Sequence, residues 1–403
     1  SSLDIRCSPQ TKRLRQSCRE LILKINGNDV GAFNFEPKLL WLKETEPQHY
    51  DKMPCFLTPT SYINFKLTGS RKVNLSDGGI GMAFDRRSGK SWSPVIIEAM
   101  GLDEHKFPEL LDCSEPLGEV TRKASEETGL PEGIPVLAGG EDTSSAALSV
   151  GVTKPGMAYV SLGTQGTVGV CADRFFARPE ILGFPHVLPG LSLLSGSMST
   201  CGGGMNWFVR EWCRDLKPSE TAEGKTVYDE LMEACSRTTP GAKGLIFLPY
   251  LSGELHPILD EKARGVFIGL TQEHTREDMA RAVMEGAAHA IAHNLQFAET
   301  VTGPVSELRA VGGPAKNPIW CQAIADISQR PVKVVEGNRG APLGNAVLAL
   351  GYMTKTKPDE IVSTFVKFAK EYEPGKEYES VYRRHHYVYT EIYNRIKDLY
   401  LLL

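Results

Sequence analysis

The sequence predicts an α/β fold built on mainly parallel strands. Short apolar runs recur along the chain, each closed by glycine or proline and followed by a segment of helical spacing. Its 403 residues suffice for two or three domains at about 150 residues each. Apolar residues make up 41% and charged residues 23%, which excludes global disorder. A chain of this size buries enough surface to need no disulfide or metal staple.

The elements follow in order. Residues 1–60 read as helices with loops. Arg13 to Leu23 mixes charged and apolar groups as an amphipathic helix does, and Lys38 to Leu42 starts another after Pro37, a favourable first helical position. Residues 61–130 hold short segments and turn signals such as Asp77-Gly78-Gly79. Ile134 to Ala138 is a strand, Gly139-Gly140 a turn, and Glu141-Asp142 opens a helix of small residues. Lys154-Pro155-Gly156 breaks the pattern and divides the chain into domains 1–155 and 156–403. A strand at Met157 to Leu162 ends in the turn Gly163-Thr164-Gln165-Gly166. Further strands are expected at 244–248, 307–311 and 332–335, and helices at 275–300, 317–328 and 343–352. Met279, Ala282, Val283 and Ala287 give the first of those helices its apolar spacing. Lys367 to Glu371 reads as one face of an amphipathic helix, and the C-terminal end as a polar helix studded with aromatic residues.

Charge and cysteine use narrow the function. Forty-five basic and 49 acidic residues leave a net charge of -4, without the footprint of a general nucleic-acid binder. A small polar substrate fits that balance. Nine cysteines with no C-x-x-C pair argue against a disulfide framework or a zinc site, and for free thiols in a reducing compartment, the cytoplasm. No apolar run is long enough to span a membrane. His385-His386 has the look of a metal pair but reads as a solvated helix face. Trp207 and Phe208 read as core, and Cys201 has no basic neighbour to activate it. A homodimer is the ordinary expectation if the protein associates.

The chemistry concentrates at three glycine turns that close strands, at 139–142, 163–166 and 312–313. Ligands of open α/β folds bind at such strand ends, and glycine lets backbone N–H groups approach phosphate oxygens. Asp142, directly after the first turn, has two readings. A carboxylate there can take the proton of a hydroxyl that attacks a phosphoryl group. It can equally cap the helix it opens.

Two longer motifs carry a resemblance. One is Gly265-Val266-Phe267-Ile268-Gly269-Leu270, followed after a short spacer by Asp278-Met279-Ala280-Arg281-Ala282-Val283-Met284-Glu285. The other is Phe33-Asn34-Phe35-Glu36-Pro37-Lys38-Leu39-Leu40-Trp41-Leu42. With Phe247-Leu248-Pro249, Gly253-Glu254 and Leu67-Thr68-Gly69, they make the chain, from about Asp4 onward, resemble the FGGY family of carbohydrate kinases and its xylulokinase branch. The resemblance implies two actin-like (ribonuclease H-like) domains with a cleft between them, and ATP-dependent phosphorylation of a sugar hydroxyl, with a ketose such as xylulose as the default. Asp142 would be the general base and touch the sugar, as would Phe33. Gly163 and Thr164 would meet the ATP phosphates, Gly202 and Asn206 would line the nucleotide pocket, and Gly313 and Asn317 would sit at adenine and ribose. Magnesium would bridge the phosphates, with no metal ligand assigned to the protein.

Departures from the family pattern leave the acceptor open. Phe35, Glu141, Gln165, Leu255, His256 and Asn345 each replace a residue the family favours. Pro185-His186-Val187 and Trp207 to Arg210 also resemble kinases of signalling sugars, so another polyol or a signalling sugar stands as the alternative. The family's opening aspartate-x-glycine-threonine hairpin and its glutamine-methionine-histidine-glycine stretch have no counterpart. The first domain is therefore expected to be incomplete and a segment to precede it in the natural chain. The rival reading, if none does, is an inactive nucleotide-binding protein.

Overall fold

The computed structural model describes residues 4–216, 226–337 and 339–403. They divide into two compact units. The first comprises Ser1–Pro155, Cys171–Leu194 and Asn338–Val366, the second Gly156–Val170, Ser195–Gly337 and Lys367–Leu403. Residues 171–194 and 338–366 thus pack with the first unit although they follow residue 155 in the chain. Among the described residues no helix is long and apolar enough to cross a membrane.

The first unit opens with helices α1 (Ser8–Ser17), α2 (Arg19–Ile25) and α3 (Phe35–Thr45). The single helix expected over Arg13 to Leu23 is two, because Cys18 leaves helical geometry at φ -125°, ψ -2°. Its thiol is buried with Leu14, Ile22 and Leu39 in one core. Pro37 is the third residue of α3, not the first. Its missing N–H costs nothing there, since the first turn has no carbonyl partners for those groups. Rings of Phe56, Trp92 and Phe107 meet edge-on at centroid distances of 5.2–5.9 Å beneath these helices.

Short strands follow, and two pairs of them matter for the site. β1 (Lys72–Asn74) pairs in parallel with β2 (Glu109–Leu111), and β3 (Pro116–Glu119) pairs antiparallel with β4 (Pro135–Leu137). β4 hands the chain through Gly139-Gly140 to α4 (Asp142–Ser149).

In the second unit β5 (Met157–Leu162), β6 (Gly166–Ala172) and β7 (Ser192–Met198) precede α5 (Gly202–Trp212) and α6 (Val227–Cys235). β8 (Ile246–Leu248) and β9 (Val266–Ile268) form an antiparallel pair under α7 (Arg276–Thr302). Then come β10 (Glu307–Val311), α8 (Pro318–Ser328) and β11 (Val332–Val335). The chain crosses to the first unit for α9 (Ala341–Thr354), and ends in the second with β12 (Phe368–Tyr372) and α10 (Glu379–Ile396). Six of the seven strands of the large sheet run in the order β12-β11-β10-β5-β6-β7.

The expectation of mainly parallel pairing is corrected. β10 pairs in parallel with β5 and β11, but β5–β6 and β11–β12 are antiparallel. Leu162 stands opposite Gly166, so only residues 163–165 join β5 to β6. A link that short makes a hairpin and cannot make the crossover that parallel strands require. Lys367 to Glu371 is also corrected from helix to strand. β12 takes up the ladder groups of β11, and buried Tyr372 lies opposite Val332.

α7 is buried around its whole circumference from Ala280 to Ala292. Thr275 and Asp278 close its N-terminus as a reciprocal capping box. The histidine pair is not solvated, as its polar helix led us to expect. Tyr382, His385, His386 and Tyr389 share one face of α10, and all four are buried. His386 Nδ1 lies 3.2 Å from His289 Nδ1 of α7. Burial pushes His386 down to about 4 and holds His289 well below the ordinary histidine range, so these rings are neutral core residues. Phe208 is fully buried, and Trp207 stacks on Phe247 with ring centroids 6.2 Å apart.

α4 and α9 pack so closely that a β-carbon on Gly344 would stand 1.9 Å from the Ser145 carbonyl oxygen. Gly344→Ala must push the two helices apart. It is expected to cost about 1–3 kcal/mol, read as a lower urea midpoint. A midpoint equal to the wild type's would show that the approach is not constraining.

Candidate active site

In the first unit the acidic turn is held from three sides. Asn345 of α9 accepts the Gly140 N–H at 2.7 Å, and its amide donates to the Gly140 carbonyl at 3.3 Å and to Ser145 Oγ at 3.2 Å. The Glu141 N–H donates to Ser76 Oγ at 2.8 Å, and that hydroxyl donates to Asn74 Oδ1 at 2.6 Å. Ser144 Oγ donates to the Pro185 carbonyl at 3.0 Å.

The cap and the exposed acid are different residues. Glu141 is the N-cap of α4, its two carboxyl oxygens accepting the N–H groups of Thr143 at 3.0 Å and Ser144 at 2.8 Å. Asp142 is the first helical residue and is exposed; its Oδ1 accepts the Thr143 hydroxyl at 3.0 Å. The capping alternative for Asp142 therefore falls to its neighbour. Burial, and then the adjacent Asp142, push Glu141 up to about 8. A hydrogen bond from Glu141, then one from Thr143, hold Asp142 below the usual carboxylate range. Asp77, capped in the same network by Asn74 and Thr58, is pushed up by burial. Phe33, 41% exposed just ahead of α3, folds its ring over Gly31.

The second unit holds a cavity of about 640 Å³, in the size range of small-molecule sites. Gly163, Thr164, Gly202, Asn206, Gly313 and Asn317 all line it. The β5–β6 turn and the start of α5 make its floor. The N–H groups of Cys201, Gly202 and Gly203 donate to the carbonyls of Thr164, Gly163 and Thr164 at 2.8–3.0 Å. A β-carbon on Gly202 would lie 2.7 Å from the Gly163 carbonyl oxygen, so glycine is what permits this approach. Among the described residues neither the N–H nor the hydroxyl of Thr164 makes a hydrogen bond, and the residue is exposed.

Asn317 is buried and already committed. Its Oδ1 caps α8 by accepting the Ile319 and Trp320 N–H groups, and its amide points to the Tyr228 hydroxyl at 3.3 Å. It shapes the wall of the cavity and ties α6 to α8. Tyr228 and Met232 of α6 line the same cavity, with Met205 and Lys316. The sequence reading passed over α6. Its signal was Thr226 three residues ahead of Asp229, a reciprocal cap in the structure.

Two cysteine and acid expectations resolve here. Cys201 is buried and its thiol is pushed up to about 12 by burial, so it is inert. Glu254, at the end of the Phe247 motif, is buried too and accepts the Ser199 and Leu255 N–H groups, bracing the segment that leads into α5. Burial pushes it up to about 7.

Comparison with known proteins extends this geometry. Models of the FGGY family of carbohydrate kinases match in two parts, the N-terminal domain over residues 1–149 and the C-terminal domain over residues 158–352. The xylulose kinase of Bacillus subtilis (strain 168) is 29% identical over 400 residues, covering 98% of this chain and 78% of the relative. That of Escherichia coli (strain K12) is 31% identical over 328 residues, 81% of this chain and 65% of the relative. The crystal structure of xylulose kinase from Rhodospirillum rubrum superposes with a TM-score of 0.89 at 27% identity, covering 98% of this chain and 79% of that one. The chain has the two-domain fold of those kinases.

Asn345→Ala removes every side-chain bond to Gly140. It is expected to cost about 1–3 kcal/mol, because the Gly140 N–H loses its partner beside a packed helix pair. Thermal unfolding of the variant measures this; an unchanged midpoint would mean that the turn is held by Ser76 and Glu141 alone.

Proposed function

Since the chain belongs to the FGGY family of carbohydrate kinases and is an ATP-dependent sugar kinase, we propose that its acceptor is a ketose, xylulose first among them, and that Asp142 activates the attacking hydroxyl. The observation that carries the assignment is the division of labour in the acidic turn. Glu141 takes the cap, so the Asp142 carboxylate stays exposed at the start of α4 with room to receive a proton. The sugar hydroxyl gives its proton to Asp142 as its oxygen bonds to the γ-phosphorus, and the bond from that phosphorus to ADP breaks. Thr164, with its exposed N–H and hydroxyl, would receive phosphate oxygens, and the cavity walls of Tyr228, Met232 and Asn317 would receive the nucleoside.

Magnesium would enter as the ATP complex, liganded mainly by phosphates, and supply charge neutralisation at the transferring group. Among the described residues no group of three or more His, Cys, Asp or Glu side chains is placed to hold a metal ion. Nine free thiols, eight of them buried, suit the reducing cytoplasm. The names of the relatives make xylulose the first acceptor to test.

ADP release from Mg-ATP by the full natural protein, across ketoses and polyols, tests the proposal. One sugar should stimulate release, and Asp142→Asn should lower kcat by about 10²–10⁴-fold with nucleotide affinity retained. A variant within a few-fold of wild type would remove Asp142 from the base role; ATP binding without stimulation by any sugar would favour the inactive nucleotide-binding reading. Because Asp142 is held below its ordinary range, its acid limb in kcat/KM should fall below about pH 4.

A further inference from the structure

The first unit holds a cavity of about 240 Å³ that the kinase chemistry leaves unused. Phe84–Asp85 and Ser91–Trp92 pair as a short hairpin, and its turn 86–90 lines this cavity together with residues 173–175 and 185–192. Neither Asp142 nor Phe33 lines it. It shares no lining residue with the larger cavity of the second unit.

Arg86 is the unusual group of this cavity. It is 7% exposed, and no carboxylate pairs with it among the described residues. Burial pushes it down to about 10, so it still carries its charge at neutral pH. Uncharged neighbours hold the guanidinium in place. Nη1 donates to the Asn26 carbonyl at 3.0 Å and to Asn28 Oδ1 at 3.4 Å. Asn28 is fixed in turn, exchanging two hydrogen bonds with the Gly183 backbone at 2.7 and 2.8 Å. The guanidinium lies so close to that backbone that a β-carbon on Gly183 would stand 2.1 Å from Nη2. The Phe175 ring, another lining residue, has its centroid 5.6 Å from Cζ. What remains is the edge that carries Nε and Nη2. Neither atom makes a hydrogen bond among the described residues, and Nη2 is fully buried. The two N–H groups of that edge are parallel and match two oxygens of one anion. A buried charged donor left without a partner is costly, and an oxyanion satisfies it.

The other charges of the cavity leave the balance positive. Arg87, Lys90 and Arg174 line it against Asp112 and Asp173. Arg87 pairs with Asp85 at 2.7 Å and Arg174 with Asp173 at 3.6 Å. Lys90 is exposed and makes no ion pair among the described residues. Arg86 and Lys90 are thus left with one acid, Asp112. We propose that this cavity binds a phosphate group, free or carried on a small sugar phosphate, with the Nε–Nη2 edge of Arg86 as the bidentate donor and Lys90 as an outer cation. A carboxylate would satisfy the edge alone, whereas a dianion draws on both cations.

Calorimetric titration of the full natural protein with inorganic phosphate tests the proposal, with ADP present to saturate the nucleotide cavity. Phosphate should bind all the same, because the two cavities have separate walls. Arg86→Lys keeps the charge but loses the fork, and should raise Kd about 10-fold or more. Lys90→Ala changes an exposed residue of the hairpin. It should raise Kd about 2- to 5-fold and make binding less sensitive to added chloride. A ketose phosphate titrated alongside identifies the source, counted by the part of its affinity that the two variants weaken. A Kd below that of inorganic phosphate assigns the site to a sugar phosphate, and an equal or higher one to the free ion. No heat from either titrant would overturn the proposal, as would the same Kd in wild type and Arg86→Lys. Circular dichroism shows whether Arg86→Lys is folded. If it is not, an unchanged Kd in Lys90→Ala overturns the proposal by itself.

Discussion

The grip of Asn345 on both the N–H and the carbonyl of Gly140 joins segments 205 residues apart into one acidic turn. Everything that makes Asp142 a candidate base hangs from that clamp. It sets where α4 begins, and the beginning of α4 decides that Glu141 takes the cap and that Asp142 is left outside it. The clamp in turn needs α4 and α9 at a distance that only Gly344 allows beside the Ser145 carbonyl. A buried polar contact of this kind is costly to leave half made, so the turn is held in one geometry and not in several.

The cavity of the second unit follows a different economy of hydrogen bonds. A helix N-terminus with free N–H groups is a ready anion site. α5 is not one, because the N–H groups of Cys201, Gly202 and Gly203 are taken by the carbonyls of the β5–β6 turn. Among the described residues, the donors of this turn without a partner include those of Thr164 at its tip. On the proposed reading, ATP phosphate would be met by the hairpin that the helix holds rigid and not by the helix itself.

Much of this was legible in the chain. β5, β10 and β11 lie where their apolar runs end in glycine or proline, and α8 begins at the asparagine and proline that cap it. The three glycine turns and the acid after the first were visible as well. What escaped was whatever depends on a neighbour remote in sequence. Lys367 to Glu371 carries helix-compatible residues, yet β11 offers an open edge and takes it as a strand. His385 and His386 sit among polar residues, yet α7 turns them inward.

Local pattern alone determined the alternation of strands and helices, the places where the chain turns, and the presence of an acid pair at one of those turns. These depend on propensities of a few adjacent residues, which the sequence displays directly. Tertiary structure decided the direction in which strands pair, which acid caps and which stays exposed, and which polar residues are buried. Each of those is settled by desolvation and by hydrogen bonds between distant segments, and neither quantity exists until the chain has folded.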